Sequence, residues 1–374
     1  MHALKRTRGE FFILIKSPKD LTIKAIYEKI KKVRQKPKEN SMKAIFIANT
    51  KSNIDYVYGQ KNIEKIASLV DLDPTPYCEE DIVASPEKFK DVELAFSTWS
   101  MPGGGELKLT DYLPSLKVLF YGAGSVKYFA PEYFEKGIRI TSAYAANAIP
   151  VAEYSVGQIL LANKGFFQAS LIAKAGDYER ANKLAGAHAG NYDAKVGIVG
   201  AGMIGRRVIE LLKPYKLDIC VFDVFMSEEQ ARELGVTKCT LDQIFEECDI
   251  VSNHLANVPA TVGIMTGELF AKMKQNATFI NTGRGAQVDE EGMLSVLSKR
   301  EDICAVLDVT VEEPPKADSD FFKLPNVILT PHIAGSMSNE VRRMSELMID
   351  ELERYLAGKP FEYEITAEKL AKMA

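Results

Sequence analysis

With 374 residues the chain has room for two or three domains, each large enough to bury its own core. Hydrophobic residues make up 46% and charged residues 26%, a mixture that excludes a disordered chain. Forty-seven Lys plus Arg against 51 Asp plus Glu leave a formal net charge of −4, which excludes a whole-protein basic footprint for nucleic acid.

Residues 1–41 stand apart, carrying 12 Lys or Arg against four Asp or Glu. They read as a basic N-terminal extension, either solvated or lying upstream of a natural start at Met42. From Met42 the pattern is α/β. Apolar runs rich in β-branched and aromatic residues recur at Ala44–Ala48, Val92–Phe96, Val118–Tyr121 and Ile138–Thr141. Helical or loop segments separate them, as buried parallel strands require. One long helical stretch is expected from Pro150 to Lys183, with Pro at its start and Ala152, Val156, Ile159 and Leu160 on one apolar face. A second α/β series begins at Lys195. Its strands are expected at Val196–Val199, Leu217–Phe222, Ile250–Asn253, Thr278–Asn281, Ala305–Val309 and Val327–Leu329. A closing helix places Val341, Met344, Met348 and Leu352 on one face and stops at Gly358-Lys359-Pro360.

No apolar run approaches the roughly 18–20 residues of a membrane-crossing helix. The cysteines, Cys78, Cys220, Cys239, Cys248 and Cys304, include no C-x-x-C pair. That argues against a disulfide framework or a metal site, and for reduced thiols in a cytoplasmic protein.

Lys195 to Gly205 reads K-V-G-I-V-G-A-G-M-I-G, so Gly200, Gly202 and Gly205 form G-x-G-x-x-G directly after an expected strand. Ile204, Val208, Leu211 and Leu212 supply the amphipathic helix that must follow. The next strand ends in Asp223, 21 residues beyond Gly202. Each part has a physical task in holding a dinucleotide. Gly200 permits a tight turn, Gly202 lets the backbone approach the pyrophosphate, and Gly205 allows close helix–strand packing. The helix N-terminus offers free N–H groups to the phosphates. Asp223 can accept from the ribose hydroxyls and repel a 2′-phosphate, and no Arg or Lys follows it within seven positions, which favours NAD over NADP.

Of the four histidines, His2 lies in the basic extension and His188 in a small-residue segment before the fingerprint. His254 and His332 follow strands. Open α/β sheets bind ligands at the carboxyl ends of their strands, so these two are placed for chemistry. The later strand ends carry Asn281-Thr-Gly-Arg-Gly285, then Leu307-Asp-Val-Thr-Val-Glu-Glu-Pro314, then Thr330-Pro-His-Ile-Ala-Gly335. Arg284, Asp308, Glu313 and His332 are thereby expected on one rim.

On these motifs, taken in order with the late G-x-G-x-x-G and Asp223, the chain from about Met42 to Lys359 resembles the D-isomer-specific 2-hydroxyacid dehydrogenase family. The resemblance implies two Rossmann-like doubly wound parallel-sheet domains with the active-site cleft between them. Residues 42–149 plus 337–374 would form the substrate-binding domain and residues 150–336 the NAD-binding domain. His332 would be the general acid/base, Glu313 its hydrogen-bonded partner, and Arg284 the group that grips and polarises the 2-oxo acid. Asp308 would orient the nicotinamide carboxamide. Met203 and Ile204 would contact the cofactor through the glycine loop. Leu255, Ala256 and Thr261 would line its adenosine and phosphate side, and Thr282 and Gly283, with Arg284 and His332, its nicotinamide side.

In the first domain Tyr121-Gly-Ala-Gly-Ser125 resembles the family's G-x-G turn, and the amides around Ala123 and Gly124 would bind the substrate carboxylate. Trp99, the only tryptophan, is a candidate pocket wall and equally a core residue. The family's H-x-P is His254-Leu255-Ala256 here, and Gly283 replaces a small side chain, which is expected to loosen the loop that holds Arg284. A small 2-oxo or 2-hydroxy acid as substrate, a homodimer, and no nucleic-acid or membrane partner complete the expectation. Two rivals remain on the same fold: an NAD-sensing corepressor or scaffold, and a formate or phosphite dehydrogenase. The formate enzyme is disfavoured because Glu313 stands where its pattern has Gln.

Overall fold

Short strands buried on both faces can pair only in parallel sheets covered by helices, and the chain builds two of them. The computed structural model describes residues 41–373. His2 and all but the last residue of the basic extension read at 1–41 therefore lie outside the described residues.

The first sheet contains β1 (Lys43–Ile47), β2 (Asp71–Tyr77), β3 (Leu94–Ser97), β4 (Val118–Tyr121) and β5 (Arg139–Ser142). The second contains β6 (Lys195–Val199), β7 (Asp218–Phe222), β8 (Thr237–Lys238), β9 (Ile250–Asn253), β10 (Thr278–Asn281), β11 (Cys304–Leu307) and β12 (Val327–Leu329). A last short strand, β13 (Glu364–Ile365), adds antiparallel to β5 at the edge of the first sheet. The orders are β13-β5-β4-β3-β1-β2 and β12-β11-β10-β9-β6-β7-β8. Both reverse direction once, between β1 and β3 and between β6 and β9, which is the doubly wound pattern.

β2 has no counterpart among the expected strands because Asp71-Leu-Asp-Pro-Thr-Pro-Tyr77 reads as a turn. It sits at a sheet edge, where missing N–H groups are tolerated, and its register against β1 slips between Ile45 and Phe46. The stretch expected as one helix from Pro150 to Lys183 is instead three: Tyr144–Ala162, Phe166–Lys174 and Tyr178–Gly186. The chain turns between them through Gly165 and Gly176, both at positive φ. Pro150 lies inside the first of these helices rather than at its start, where it withholds the bond to the carbonyl of Ala146.

That helix joins the two sheets. Ala146 near its start packs on the first sheet's core, whereas Ala152, Val156, Ile159 and Ala162 pack on the second's. The closing helix Val341–Leu356 returns to the first sheet and buries Val341, Met344, Met348 and Leu352 there, against Phe46, Phe96 and Phe120 among others. No helix among the described residues is long and apolar enough to cross a membrane.

Candidate active site

The order reversal of the second sheet opens a crevice at the carboxyl ends of β6 and β9, and the glycine loop lies in it. Gly200 turns at φ 95°. Gly205, in the first turn of the helix Met203–Leu212, crosses so close that a Cβ there would fall 2.0 Å from the Gly200 carbonyl oxygen. A Cβ on Gly202 would meet nothing within 4 Å, so the space above it is open to a phosphate. Gly202 is the N-cap, and no side chain caps the helix, which leaves first-turn N–H groups free. These features fit a dinucleotide pyrophosphate. Met203 is exposed beside the opening, while Ile204 is half-buried against the core. Asp223, at the end of β7, accepts from Ala201 N at 2.7 Å and from Phe225 N at 2.8 Å. Its carboxylate thus also ties the glycine loop to the strand end, keeping spare lone pairs for hydroxyl donors.

The two histidines at strand ends are in unlike surroundings. His254 is buried: one ring nitrogen, Nε2, pairs with Ser252 Oγ at 2.9 Å, and Nδ1 has no partner. Burial pushes its pKa down to about 4. A group shut away and held neutral cannot exchange protons with a ligand, so His254 drops out as an acid–base candidate. His332 remains half-exposed, and its Nδ1 lies 2.8 Å from Glu313 Oε2. With Nδ1–H donating to the carboxylate, Nε2 is left to face a ligand. Burial pushes the Glu313 carboxyl up, but the bond to His332, that group's charge and the Arg284 charge outweigh it and hold Glu313 below its ordinary range.

His332 sits at φ 54°, a left-handed conformation costly for a residue with a Cβ. Asp308, buried at the end of β11, sustains it. Its Oδ1 accepts from Thr330 Oγ1 at 2.6 Å and Ile333 N at 2.9 Å, and its Oδ2 from Ala334 N at 2.8 Å. Its backbone carbonyl takes the His332 N–H at 3.1 Å. Tyr154 Oη lies 3.1 Å from Thr330 Oγ1; because Thr330 gives its proton to Asp308, Tyr154 is the donor.

Arg284 follows β10. It is partly buried; burial lowers its pKa, and the Glu313 charge acts the other way. Its Nη1 donates to Gly283 O at 2.6 Å. Thr282 is buried, its hydroxyl 3.1 Å from that of Ser155. Leu255 and Ala256 lie in the loop after β9. The Thr261 hydroxyl is occupied within that loop, donating toward Ala256 O at 2.7 Å and Val258 O at 2.9 Å. It shapes the loop rather than presenting a free donor.

The first sheet supplies the facing rim. The Ala123 amide is not the free donor the sequence led us to expect: it already bonds Tyr121 O at 2.9 Å. Of the expected pair, only the Gly124 N–H lacks a partner among the described residues. Trp99, half-buried, packs against both cores of the first sheet, its ring 6.3 Å from that of Tyr56.

Two residues that the sequence motifs did not single out cross the gap. Asn147 Oδ1 accepts from Ser336 N at 2.9 Å and its side chain lies beside both Gly124 and Gly335. Lys127 Nζ donates to Asn257 O, and both burial and the Arg284 charge lower its pKa. A cation three residues past the G-A-G turn was the available signal for Lys127; Asn147 lies in a helix and carried none. Among the described residues, no group of three or more His, Cys, Asp or Glu is placed to hold a metal.

Fold and crevice define a two-sheet α/β protein whose second sheet is a dinucleotide-binding domain. Comparison with known proteins makes this specific. Residues 156–334, just under half of the chain, match the D-isomer specific 2-hydroxyacid dehydrogenase, NAD binding domain model. It is 32% identical over 247 residues to the D-3-phosphoglycerate dehydrogenase of Methanocaldococcus jannaschii, covering 64% of this chain and 46% of the relative. It is 29% identical over 226 residues to that of Archaeoglobus fulgidus, covering 60% and 42%. The chain therefore spans less than half the length of these relatives. Among solved structures, the D-mandelate dehydrogenase of Rhodotorula graminis superposes with a TM-score of 0.74 at 18% identity, covering 87% of this chain and 98% of that one. A D-2-hydroxyisocaproate dehydrogenase superposes at 0.69 and 21%, covering 87% and 100%. At such identities the likeness is one of fold.

Proposed function

We propose that the protein is an NAD-dependent oxidoreductase interconverting a small 2-oxo acid and its D-2-hydroxy acid, with His332, Glu313 and Arg284 as the reacting machinery. The observation that carries this is the His332 Nδ1–Glu313 Oε2 contact of 2.8 Å beside Arg284 at the carboxyl end of the NAD-binding sheet. Bound NADH supplies the hydride. Arg284 grips the acid's carboxylate and polarises its carbonyl, His332 Nε2 gives that oxygen a proton, and Glu313 holds the imidazole turned toward it. In the reverse direction His332 takes the hydroxyl proton. Gly124 N–H offers a second donor to the carboxylate from the facing rim. The one open lone pair of Asp308 Oδ2 suits a carboxamide N–H. Gly200, Gly202, Met203, Gly205, Asp223, Leu255 and Ala256 line the dinucleotide path, with Thr282 and Gly283 toward the nicotinamide.

In this reading residues 42–149 and 337–374 carry the substrate side and 150–336 the cofactor side. A homodimer follows from the family resemblance, and a cytoplasmic setting from the cysteines read as reduced thiols. The test is NADH oxidation with glyoxylate, pyruvate, hydroxypyruvate, 2-oxoisocaproate and phenylpyruvate as separate substrates. Turnover that yields the D-hydroxy acid supports the reading. Tight NADH binding with no turnover on any of them overturns it in favour of a dinucleotide sensor.

A further inference from the structure

Three side-chain amides lie in the interior between the cofactor loop and Arg284: Asn253 at 0% exposure, Asn281 at 1% and Gln287 at 0%. Every polar atom of the three is satisfied. Asn253 Nδ2 donates to Asn281 Oδ1 at 2.9 Å and Gln287 Oε1 at 2.6 Å. Asn253 Oδ1 accepts from Leu255 N at 3.1 Å, and Gln287 Nε2 donates to Leu255 O at 2.7 Å. On the other side, Gln287 Oε1 accepts from Arg284 N at 3.2 Å, Asn281 Nδ2 donates to Arg284 O at 3.2 Å, and Asn281 Oδ1 accepts from Gly283 N at 3.0 Å. Both backbone polar groups of Leu255 and both of Arg284 thus end on one set of side chains. None of these groups has a strand partner to fall back on, and an orphaned buried N–H or C=O is costly.

The arrangement also accounts for Gly283. A Cβ there would fall 2.8 Å from Asn253 Nδ2 and 2.8 Å from Gln287 Oε1. The missing side chain does not loosen the loop, as the sequence alone led us to expect. It makes room for the amides that fix the loop.

We propose that Asn253, Asn281 and Gln287 are positioning residues for Arg284, a buried amide clamp that sets the guanidinium against the cofactor loop. The proposal rests on the reading of Arg284 as the residue that grips the 2-oxo acid. The guanidinium is held beyond a single main-chain turn, so slack of about an ångström at that turn is enough to misalign it, and misplacement on that scale costs on the order of 100-fold.

The experiment is steady-state kinetics on the full chain with NADH and the best substrate among the five acids named above. Gln287→Met keeps the volume and removes every bond the Gln287 side chain makes. It is expected to lower kcat/KM for the acid by about 10- to 100-fold while NADH affinity moves far less. In an Arg284→Lys background, the same change is expected to add almost nothing, because the group it positions is gone. Gln287→Glu is the second variant. Its neutral form restores one acceptor and one donor, so its activity relative to the wild type is expected to recover as pH falls, and this holds even if Gln287→Met fails to fold.

Equal losses from Gln287→Met in both backgrounds, or a loss in NADH affinity as large as that in kcat/KM, would overturn the clamp. If Arg284→Lys alone changes nothing, or no acid is turned over by the wild type, the reading of Arg284 fails instead and takes the proposal with it.

Discussion

The buried His254 yields a prediction whose size follows from its surroundings. Burial alone moves its pKa from 6.5 down to about 4, so the folded chain refuses a proton that the unfolded chain accepts. Because the folded value is the lower one, the contribution to stability is present in full above about pH 6.5 and is lost as pH falls toward about 4. Each pH unit across that window costs about 1.4 kcal/mol, so the total is about 3 kcal/mol. That is a sizeable share of the ~5–15 kcal/mol that separates folded from unfolded chains. His254→Gln keeps an amide to meet Ser252 Oγ at the position the ring now bonds and removes the titrating group.

Urea unfolding of both proteins at pH 7 and at pH 4, followed by far-ultraviolet circular dichroism, isolates the effect, since other acid-sensitive groups are common to the two. Fluorescence is the wrong probe here, because Trp99, the only tryptophan, packs on the first sheet and His254 directly follows a strand of the second. The wild type is expected to lose about 3 kcal/mol more than the variant between the two pH values. Equal losses would refute the assignment of His254 as a buried neutral group, and would reopen it as a partner in proton transfer.

The remaining predictions concern the crevice. His332→Ala is expected to lower turnover by roughly 10²- to 10⁴-fold with NADH binding nearly unchanged; near-wild-type turnover would remove it from the reaction. Asp223→Ala takes away the acceptor for Ala201 N and Phe225 N. The preference for NAD over NADP, read as the ratio of kcat/KM values, is expected to fall by about 10- to 100-fold, the worth of one or two bonds to a charged group. Gly205→Ala would place a Cβ 2.0 Å from the Gly200 carbonyl oxygen, so NADH titration is expected to show binding abolished while circular dichroism shows the chain folded. Reduction needs the protonated imidazole and oxidation the neutral one, so the two directions should depend on pH with opposite slopes. The Glu313 carboxyl, held below its ordinary range chiefly by His332 against the opposing effect of burial, stays ionised down to mildly acidic pH and is not the group that sets either slope.

Much of this architecture is legible in the sequence because its signals are local. Val118–Tyr121, Ile250–Asn253, Thr278–Asn281 and Val327–Leu329 coincide with their strands residue for residue. Each is a short apolar run with clear turn signals at both ends. The rim motifs were equally legible, since glycine spacing, a terminal Asp and a T-P-H turn each report a backbone shape rather than a distant contact. What was hidden depends on partners far away in the chain. β2 is strand only because an edge position forgives Pro74 and Pro76. β13 exists only because the closing helix brings Glu364 alongside Thr141. The amides of Asn253 and Gln287 look like interruptions in apolar runs until the fold places them 2.6 Å apart. The Ala123 amide looked free because nothing in G-A-G says that the turn closes on Tyr121.

The same contrast bears on what holds the crevice in shape. The His332–Glu313 pair is 46% and 38% exposed, and half-exposed ion pairs contribute only ~0–1 kcal/mol. Glu313 therefore cannot by itself keep His332 in a left-handed backbone conformation that costs about 1–3 kcal/mol. Asp308 can. It is 3% exposed and receives three donors from the turn that carries His332, each a bond to a charged group worth about 1.5–3 kcal/mol. Arg284 is held in a comparable way, its backbone fixed by neutral amides that are buried and satisfied. In both cases the side chain that faces the ligand is exposed to solvent or only partly enclosed, and the group that aims it lies beneath the rim. Asp308→Asn tests the distinction. It keeps the shape and one acceptor but sets an NH₂ against a backbone N–H, so it should release the His332 turn and lower kcat. Glu313→Gln, which leaves that turn intact, should alter the pH dependence of the reaction more than the position of the ring. If the two variants behaved alike in a structure of the NADH complex, with His332 equally displaced in both, Asp308 would lose its place as the anchor of the turn.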